Sequence, residues 1–288
     1  MRIANKRRQS RLSLWSRRAG FAAIPVLFLA AIGHRSDLID AEPTLVLLAI
    51  GLTLAVSAVL AGLAGFAAIW REGRTGFRAA TIGVMLGLAL LSYPAYLLTR
   101  LVALPAIADV ATNPHAELDF VAIDWDHPTR SDGAIRAYPN IQPHIYAADP
   151  EIVFEEVVLA VEALGWVVFR QETPHLEALR QDPIVVSPPP SPMPSPPIGA
   201  EGVGEEGIVP LVEPVLVLEP GYIEATARTL VVGFREDVII KVAVDPAGSI
   251  VDVRSASRHF RHDFGSNAAR ILRLYRELDE RLARATFE

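Results

Sequence analysis

The chain has 288 residues, a formal net charge of −6 and no cysteine. The lack of cysteine excludes disulfides, thiolate nucleophiles and zinc–thiolate centres. The charge is unevenly distributed, because residues 1–99 carry 11 basic and 4 acidic side chains, whereas residues 100–288 carry 16 basic and 29 acidic ones. An acidic region of this kind repels phosphates, so nucleic acid is not an expected partner.

Three apolar stretches follow the basic N-terminus, over residues 19–33, 44–70 and 79–98. The second runs for 27 residues without a charged side chain, and about 20 helical residues are enough to cross the hydrocarbon core of a bilayer. The sequence therefore predicts a basic cytoplasmic tail over 1–18 and a three-helix membrane anchor over 19–98, with the lipid bilayer as a partner. The first stretch is short and contains Pro25, so a retained helix and a cleavable signal peptide both stay open.

The charges of the short loops predict how the anchor is oriented. Short loops rich in Lys and Arg stay in the cytoplasm. The N-terminal tail and the loop over 71–78 are basic, whereas the loop over 34–43 holds one Arg and three acidic residues. We therefore expect a multi-pass protein of the plasma membrane, with its N-terminus in the cytoplasm and residues 99–288 on the outer side.

Small residues within the spans predict close helix packing. Gly83 and Gly87 form a GxxxG pattern, in which two helix backbones approach each other closely. The contact joins either the three helices of one chain or the helices of a dimer. The second and third stretches contain no ionisable side chain, which argues against a transporter and favours an anchor.

The region over 99–288 begins with an extended approach rich in turn residues and continues with a helix. Asp149 is placed to cap this helix, Pro150 fits its first position and Gly165 ends it. A strand over 166–169 follows. Residues 174–220 then hold 12 of the 22 prolines, which predicts an extended insert between two strands, because proline neither continues a helix nor donates to a sheet. A proline-rich docking ligand is the functional alternative.

Three strands with alternating apolar residues come after the insert, over 221–230, 237–245 and 249–258. A final amphipathic helix is predicted over about 266–285. The order of these elements predicts an extracytoplasmic α+β domain, in which about four antiparallel strands carry two helices on one face.

Several segments of this domain match motifs that occur together in known proteins. They are Pro105–Pro114, Ala163–Trp166, Ile223–Ala227, Gly233–Val238, Val251–Arg258 and Asp263–Ile271. With them the chain resembles a bacterial family of unknown function, the domain family numbered 1499, over about 105–282. The proline-rich insert departs from the compact pattern of that family. The resemblance implies the domain but no activity.

The densest group of polar residues lies between the last strand and the last helix. One hypothesis is that it binds an anion or another ligand, because arginines and the free N–H groups of a helix start attract negative charge. A second is a hydrolase in which Ser255 or Ser257 acts with His262 and Asp263. The third is structural: Asp263 or Ser266 caps the last helix, Gly265 makes its tight entry, and the strand arginines pair with acids. The residues proposed for ligand binding are Arg254, Arg258, Arg261, Asp263 and Asn267.

Metal and cofactor sites are not predicted. The possible ligands follow no known metal-binding spacing, and no glycine-rich phosphate loop or dinucleotide motif is present. We expect a non-enzymatic inner-membrane protein whose periplasmic domain binds an envelope protein or a small ligand, with the envelope hydrolase as the alternative. The metal candidates considered are His115, Asp119, Asp124, Asp126, His127, His259 and His262.

Overall fold

The computed structural model describes residues 8–116, 118–123, 137–179 and 215–285. The middle of the proline-rich insert therefore lies outside the described residues, as do Asp124, Asp126 and His127.

Three long helices open the chain: α1 (Arg11–Arg35), α2 (Ala41–Glu72) and α3 (Phe77–Ala103). Each is long and apolar enough to cross a membrane. All three are longer than the apolar stretches, because polar residues extend them at both ends. The first helix begins at Arg11 with Ser10 as its N-cap, so residues 11–18 of the predicted basic tail are helical. Pro25 lies inside α1 without ending it.

The three helices pack against one another through small residues. Gly83 of α3 lies directly against Ser16 of α1, and Gly87 lies against Ala55 and Val59 of α2. A Cβ atom at position 87 would come within 2.6 Å of the Val59 side chain. Both glycines therefore lie at contacts between helices of a single chain.

The C-terminal region is built on an antiparallel sheet. Its strands are β1 (Asp109–Ala111), β2 (His144–Tyr146), β3 (Val167–Glu172), β6 (Gly221–Arg228), β7 (Arg235–Asp245) and β8 (Gly248–Ser257), and a separate two-stranded ladder joins β4 (His175–Leu179) to β5 (Val215–Glu219). The order in the large sheet is β1-β8-β7-β6-β3, and β2 also pairs with β8. An antiparallel domain after three apolar helices is confirmed, but the predicted number of about four strands was wrong. The strands β1 and β2 were missed because three residues are too few to show a period.

The two ends of the proline-rich insert also differ from the prediction. His175 pairs with Glu219 and Leu179 pairs with Val215 in a continuous antiparallel ladder. The expectation of an extended insert over the whole of 174–220 was therefore wrong at both ends. The short sequences on either side of the prolines provide five strand residues each, which is enough for a ladder.

Two helices, α4 (Pro150–Ala163) and α5 (Ser266–Ala285), pack on one face of the sheet. Their bounds match the predicted helices closely. Pro150 is at the start of α4 as expected, whereas the Asp149 side chain makes no capping hydrogen bond. The buried core between helices and sheet includes Val153, Val157, Val161, Ile223, Ala225, Val238, Ile240, Val242, Val251, Val253, Ile271, Leu274, Tyr275 and Leu278.

Candidate functional site

Asp263 organises the start of α5. Its carboxylate accepts hydrogen bonds from the backbone N–H groups of Gly265 (2.8 Å) and Asn267 (2.9 Å). Gly265 has φ +76°, which favours glycine and gives the tight entry to the helix. Burial raises the pKa of the Asp263 carboxyl above its usual range. The carboxylate therefore occupies the helix start, where an incoming anion would otherwise bind.

The two serines of the hydrolase hypothesis belong to a buried polar network. The Ser255 hydroxyl donates to Asn267 (2.8 Å), and the Ser257 hydroxyl donates to Glu236 (3.1 Å). Arg270 of α5 donates to Ser255 and Asn267 at 2.9 Å each and forms an ion pair with Glu236. Buried polar groups of this kind are stable when each has a partner. The network joins α5 to β7 and β8.

The ring of His262 faces backbone atoms. Its Nδ1 accepts a hydrogen bond from the Phe264 N–H (2.9 Å), and its Nε2 is 3.1 Å from the Leu104 carbonyl oxygen. Both ring nitrogens therefore have backbone partners. A general base has to be within hydrogen-bond reach of the nucleophile, and the hydrogen bonds of His262 do not bring it there.

The arginines proposed for anion binding have different surroundings. Arg254 forms a forked pair with the Asp109 carboxylate, with the shortest distance 2.7 Å. Arg258 pairs in the same way with Asp237 at 2.7 Å, and Arg261 is exposed. An anion at Arg254 or Arg258 would have to compete with a carboxylate that is already bound. Anion binding by the predicted set stays a prediction.

Among the described residues, three ion pairs join strand arginines to buried carboxylates on the face of the sheet opposite the helices. They are Arg254–Asp109, Arg258–Asp237 and Arg170–Glu224. Alternate residues of a strand point to opposite faces, so these charges lie on the same strands as the apolar core residues. Sequence reasoning placed Arg254 and Arg258 correctly next to acids, but missed Asp109, Arg170 and Glu224 as partners. The signal was that the charged residues of these strands, Glu224 and Arg228 in β6 and Asp252 and Arg254 in β8, all alternate with apolar core positions.

The segment over 118–123 covers part of this charged face. The Glu224 carboxylate, fully buried, accepts hydrogen bonds from the N–H groups of Val121 and Ala122 (3.1 and 2.8 Å). Arg254 donates to the Leu118 carbonyl (2.7 Å) and lies over the Phe120 ring, 4.9 Å from its centroid. The ion pairs therefore hold a covering segment on the sheet.

An open cavity of about 230 Å³ lies at the edge of the covering segment. It is lined by Asp119, Val121, Arg170 and Tyr222. The Arg170 guanidinium lies 5.6 Å from the centre of the Tyr222 ring, and the Lys241 ammonium lies 5.7 Å from it. Hydrogen bonds to Glu172 and Glu224 raise the pKa of Arg170. The cavity is smaller than typical ligand pockets, which measure about 300–1,000 Å³.

Within the four described ranges, no group of three or more His, Asp or Glu side chains is arranged to hold a metal ion. Of the metal candidates, His262 bonds to the backbone, and His259 lies beside the Phe234 ring at 6.1 Å.

A family model described as "Protein of unknown function (DUF1499)" matches residues 109–278. The chain belongs to this family. The match runs from the start of β1 into α5 and confirms the resemblance found in the sequence. No curated protein and no solved structure matches the chain significantly.

The DUF1499 domain rests on one end of the helical anchor. Arg35, the last residue of α1, donates to the backbone carbonyls of Thr229 (3.2 Å) and Leu230 (2.9 Å) in the β6–β7 hairpin. Asp37 accepts from Arg228 and Arg235 at 2.7 Å each. The hydrogen bond from Arg228 contributes most to lowering the pKa of the Asp37 carboxyl.

A second contact involves the end of α3. The Arg100 side chain donates to the Phe264 carbonyl (3.1 Å), and the Leu104 carbonyl faces His262. The loops before α5 and between β6 and β7 therefore both touch the anchor. Polar contacts at two separate helix ends fix the position of the domain on the anchor, in contrast to a free tether.

Proposed function

We propose that this chain is a multi-pass bacterial inner-membrane protein that presents its DUF1499 domain on the periplasmic side as a non-enzymatic binding module. The observation that carries the proposal is the docking of the domain on the α1–α2 loop and on the end of α3. Consecutive spans run in opposite directions, so these two sites lie at the same end of the anchor. The N-terminus and the α2–α3 loop lie at the other end, where Ser10 and Thr75 are joined by a hydrogen bond.

The distribution of charge supports this orientation. The end of the anchor that is distant from the domain carries Arg8, Arg11, Arg71, Arg74 and Arg78. Basic residues next to spanning helices favour the cytoplasmic side. The domain, with its excess of acidic residues, would then be exported.

Binding is favoured over catalysis by the contacts of the candidate residues. Ser255 and Ser257 both donate to side chains of the buried network, and His262 is bonded to backbone atoms instead of to either serine. The cavity at Tyr222, in contrast, is open to solvent. Arg170 pairs there with Glu172 and Glu224, Asp119 pairs with Arg254, and the Lys241 ammonium lies over the Tyr222 ring. The cavity therefore offers charged groups of both signs and an aromatic ring to a small ligand or to an envelope protein.

The orientation is tested by fusing reporter enzymes after Glu288. A reporter that is active only outside the cytoplasm should be active, and one that is active only inside should be silent. Activity confined to the cytosolic reporter would overturn the proposal.

The binding role is tested by placing a photo-crosslinking residue at Val121, which lines the cavity and is 71% exposed. The matched control has the same residue at Val244, which is 54% exposed near the end of β7. We expect specific adducts with envelope components at position 121 alone. Equal labelling at both positions would contradict a role for the cavity.

The hydrolase alternative has its own test. The purified full chain in detergent is profiled against ester and phosphoester substrates, together with the His262→Ala variant. Activity that is present in the unmodified chain and lost in the variant would support the hydrolase and contradict the non-enzymatic role.

A further inference from the structure

The tip of the β6–β7 hairpin has an unusual composition. Its four residues, Leu230, Val231, Val232 and Gly233, lie between Thr229 and Phe234, which are joined by two hydrogen bonds (2.9 and 2.8 Å). Hairpin tips normally carry Gly, which adopts positive φ without strain, or Asn, Asp and Ser, whose side chains hydrogen-bond to the turn backbone. Here Leu230 is 84% exposed and Val231 is also exposed. A single exposed leucine needs no explanation, but a whole apolar tip does.

The tip lies at the end of a helix that is apolar enough to span a membrane. Arg35 at the end of α1 donates to the Leu230 carbonyl (2.9 Å), and Gly233 packs against Arg35 so closely that a Cβ atom would come within 3.3 Å of its Cα. The hairpin tip is therefore at the level of the end of α1. At the end of a spanning helix, hydrocarbon gives way to lipid headgroups.

The surroundings of the tip combine cations with apolar side chains. Arg228 and Arg235 emerge on the two strands of the hairpin and pair with Asp37. The next residue along the chain, Leu38, is 81% exposed. Surfaces that lie in the headgroup region of a bilayer have this mixture of arginines and exposed large apolar residues.

We propose that the exposed residues of the hairpin tip, Leu230 and Val231, together with Leu38, insert into the boundary between headgroups and acyl chains of the bilayer that holds α1–α3. Lipid is the occupant because the tip lies against the last residue of α1, and exposed apolar side chains of that helix include Leu29 and Ile32. The inserted tip forms a second support for the domain, beside the polar contacts of Arg35 and Asp37. This inference rests on the membrane-spanning part of the proposed function, but not on which side of the membrane the domain lies.

The test uses the absence of cysteine from the natural chain. The full chain carries one cysteine in each of three variants, Leu230→Cys, Leu38→Cys and Val244→Cys, labelled with a polarity-sensitive fluorophore. Val244 is the matched control, because it lies near the other end of β7. The proteins are reconstituted in phosphatidylethanolamine–phosphatidylglycerol vesicles, with and without lipids that carry a nitroxide high on the acyl chain.

At positions 230 and 38 we expect blue-shifted emission and a loss of about half of it with nitroxide lipids, because interfacial side chains sit roughly 5–10 Å into the headgroup and acyl boundary. The label at position 244 should show neither effect. Quenching at 230 no stronger than at 244 would overturn the proposal. A blue shift at 230 that nitroxide lipids do not quench would also overturn it, since the tip would then be covered by protein. If only the cytosolic reporter fused after Glu288 were active, the proposed orientation would be wrong, but the expected quenching would be the same.

Discussion

The two faces of the six-stranded sheet are stabilised in different ways, although the same strands supply both. On the helix face, Ile240 and Val253 meet Leu274 and Tyr275 in a continuous apolar core, and polar contacts are concentrated at the start of α5, around Arg270. On the opposite face, charged side chains are nearly as well buried, but each has a specific partner. Burial of apolar area is non-directional, whereas a buried charge tolerates only the correct partner in the correct geometry.

The comparison also shows which face is suited to function. The helix face is sealed by α4 and α5. Among the described residues, the segment over 118–123 covers part of the charged face, and the cavity at Arg170 and Tyr222 lies at the edge of this segment. The stability lost by a substitution on the charged face should therefore be restored by a second substitution of the ion-pair partner. A substitution in the core of the helix face has no such partner.

The largest effect is expected from Arg254→Met on the charged face. The substitution leaves the Asp109 carboxylate, whose side chain is 1% exposed, without its partner. Removing one member of a buried pair costs about 3–5 kcal/mol of unfolding free energy. The change is measured as a shift of the urea midpoint by pulse proteolysis of the full chain in detergent.

The control for this change is the double variant Asp109→Leu with Arg254→Met. Replacing a buried pair by apolar residues of similar volume is often neutral, so the double variant should regain most of the loss. If Arg254→Met alone lowers stability by less than about 1 kcal/mol, the value of an exposed pair, the charged face is not dependent on this pair.

On the helix face, Leu274→Ala should lower the unfolding free energy by about 2–5 kcal/mol, because it removes buried methylenes and leaves a cavity. Leu274 is fully buried. The matched control is Leu272→Ala on the same helix, where the side chain is 41% exposed and little change is expected. Unlike Arg254, Leu274 has no single partner whose removal would restore stability. Equal midpoints for the two leucine variants would contradict the assignment of the core.

Asp263→Ala should have a smaller effect, of about 0.5–2 kcal/mol, the usual cost of losing a helix cap. The carboxylate now accepts from the N–H groups of Gly265 and Asn267. Asp263→Asn keeps one acceptor oxygen and should lose less. The measurement is the same urea midpoint, and identical values for Ala and Asn would show that the hydrogen bonds of the cap contribute nothing.

The helix face could be predicted from the sequence and the charged face only in part. Alternating apolar residues in β6 to β8 and the stripe of α5 have regular periods, which local sequence displays. The ion pairs join distant positions, such as Asp109 with Arg254, and their partners depend on strand register. Because β1 is only three residues long, its own sequence does not indicate the register in which it pairs with β8.

The candidate site shows the same limit. Ser255, Ser257, His262 and Asp263 are close in sequence, yet the strand, the turn and the helix direct them to different partners. The contacts between domain and anchor were not predicted at all, because Arg35 and Thr229 are 194 residues apart. The residues that make these contacts belong to no periodic pattern and to no motif, so the sequence did not indicate the contacts.

The smallest effect on stability is expected at an exposed ion pair. It can be compared directly with the larger effect at the buried pair of Arg254. Asp37 is 49% exposed as a side chain and pairs with Arg228 and Arg235. Asp37→Asn keeps a residue that tolerates the positive φ of 56° found there. The substitution should weaken the docking of the hairpin by less than about 1 kcal/mol. The measurement is the hydrogen-exchange protection of residues 229–234 in the full chain.

The pH dependence of this contact has a definite sign. The pKa of Asp37 is lower in the folded chain than its ordinary value of 3.8, so the carboxylate stabilises docking at pH values above 3.8. That stabilisation is lost as the pH falls below 3.8 and through the folded pKa. Protection of the hairpin should therefore decrease over this acid range in the natural chain and change less in Asp37→Asn. High salt should reduce the difference, because exposed pairs are screened, whereas the effect of Arg254→Met should persist. Equal salt sensitivity for both would mean that the exposed pair and the buried pair do not differ in the way their burial implies.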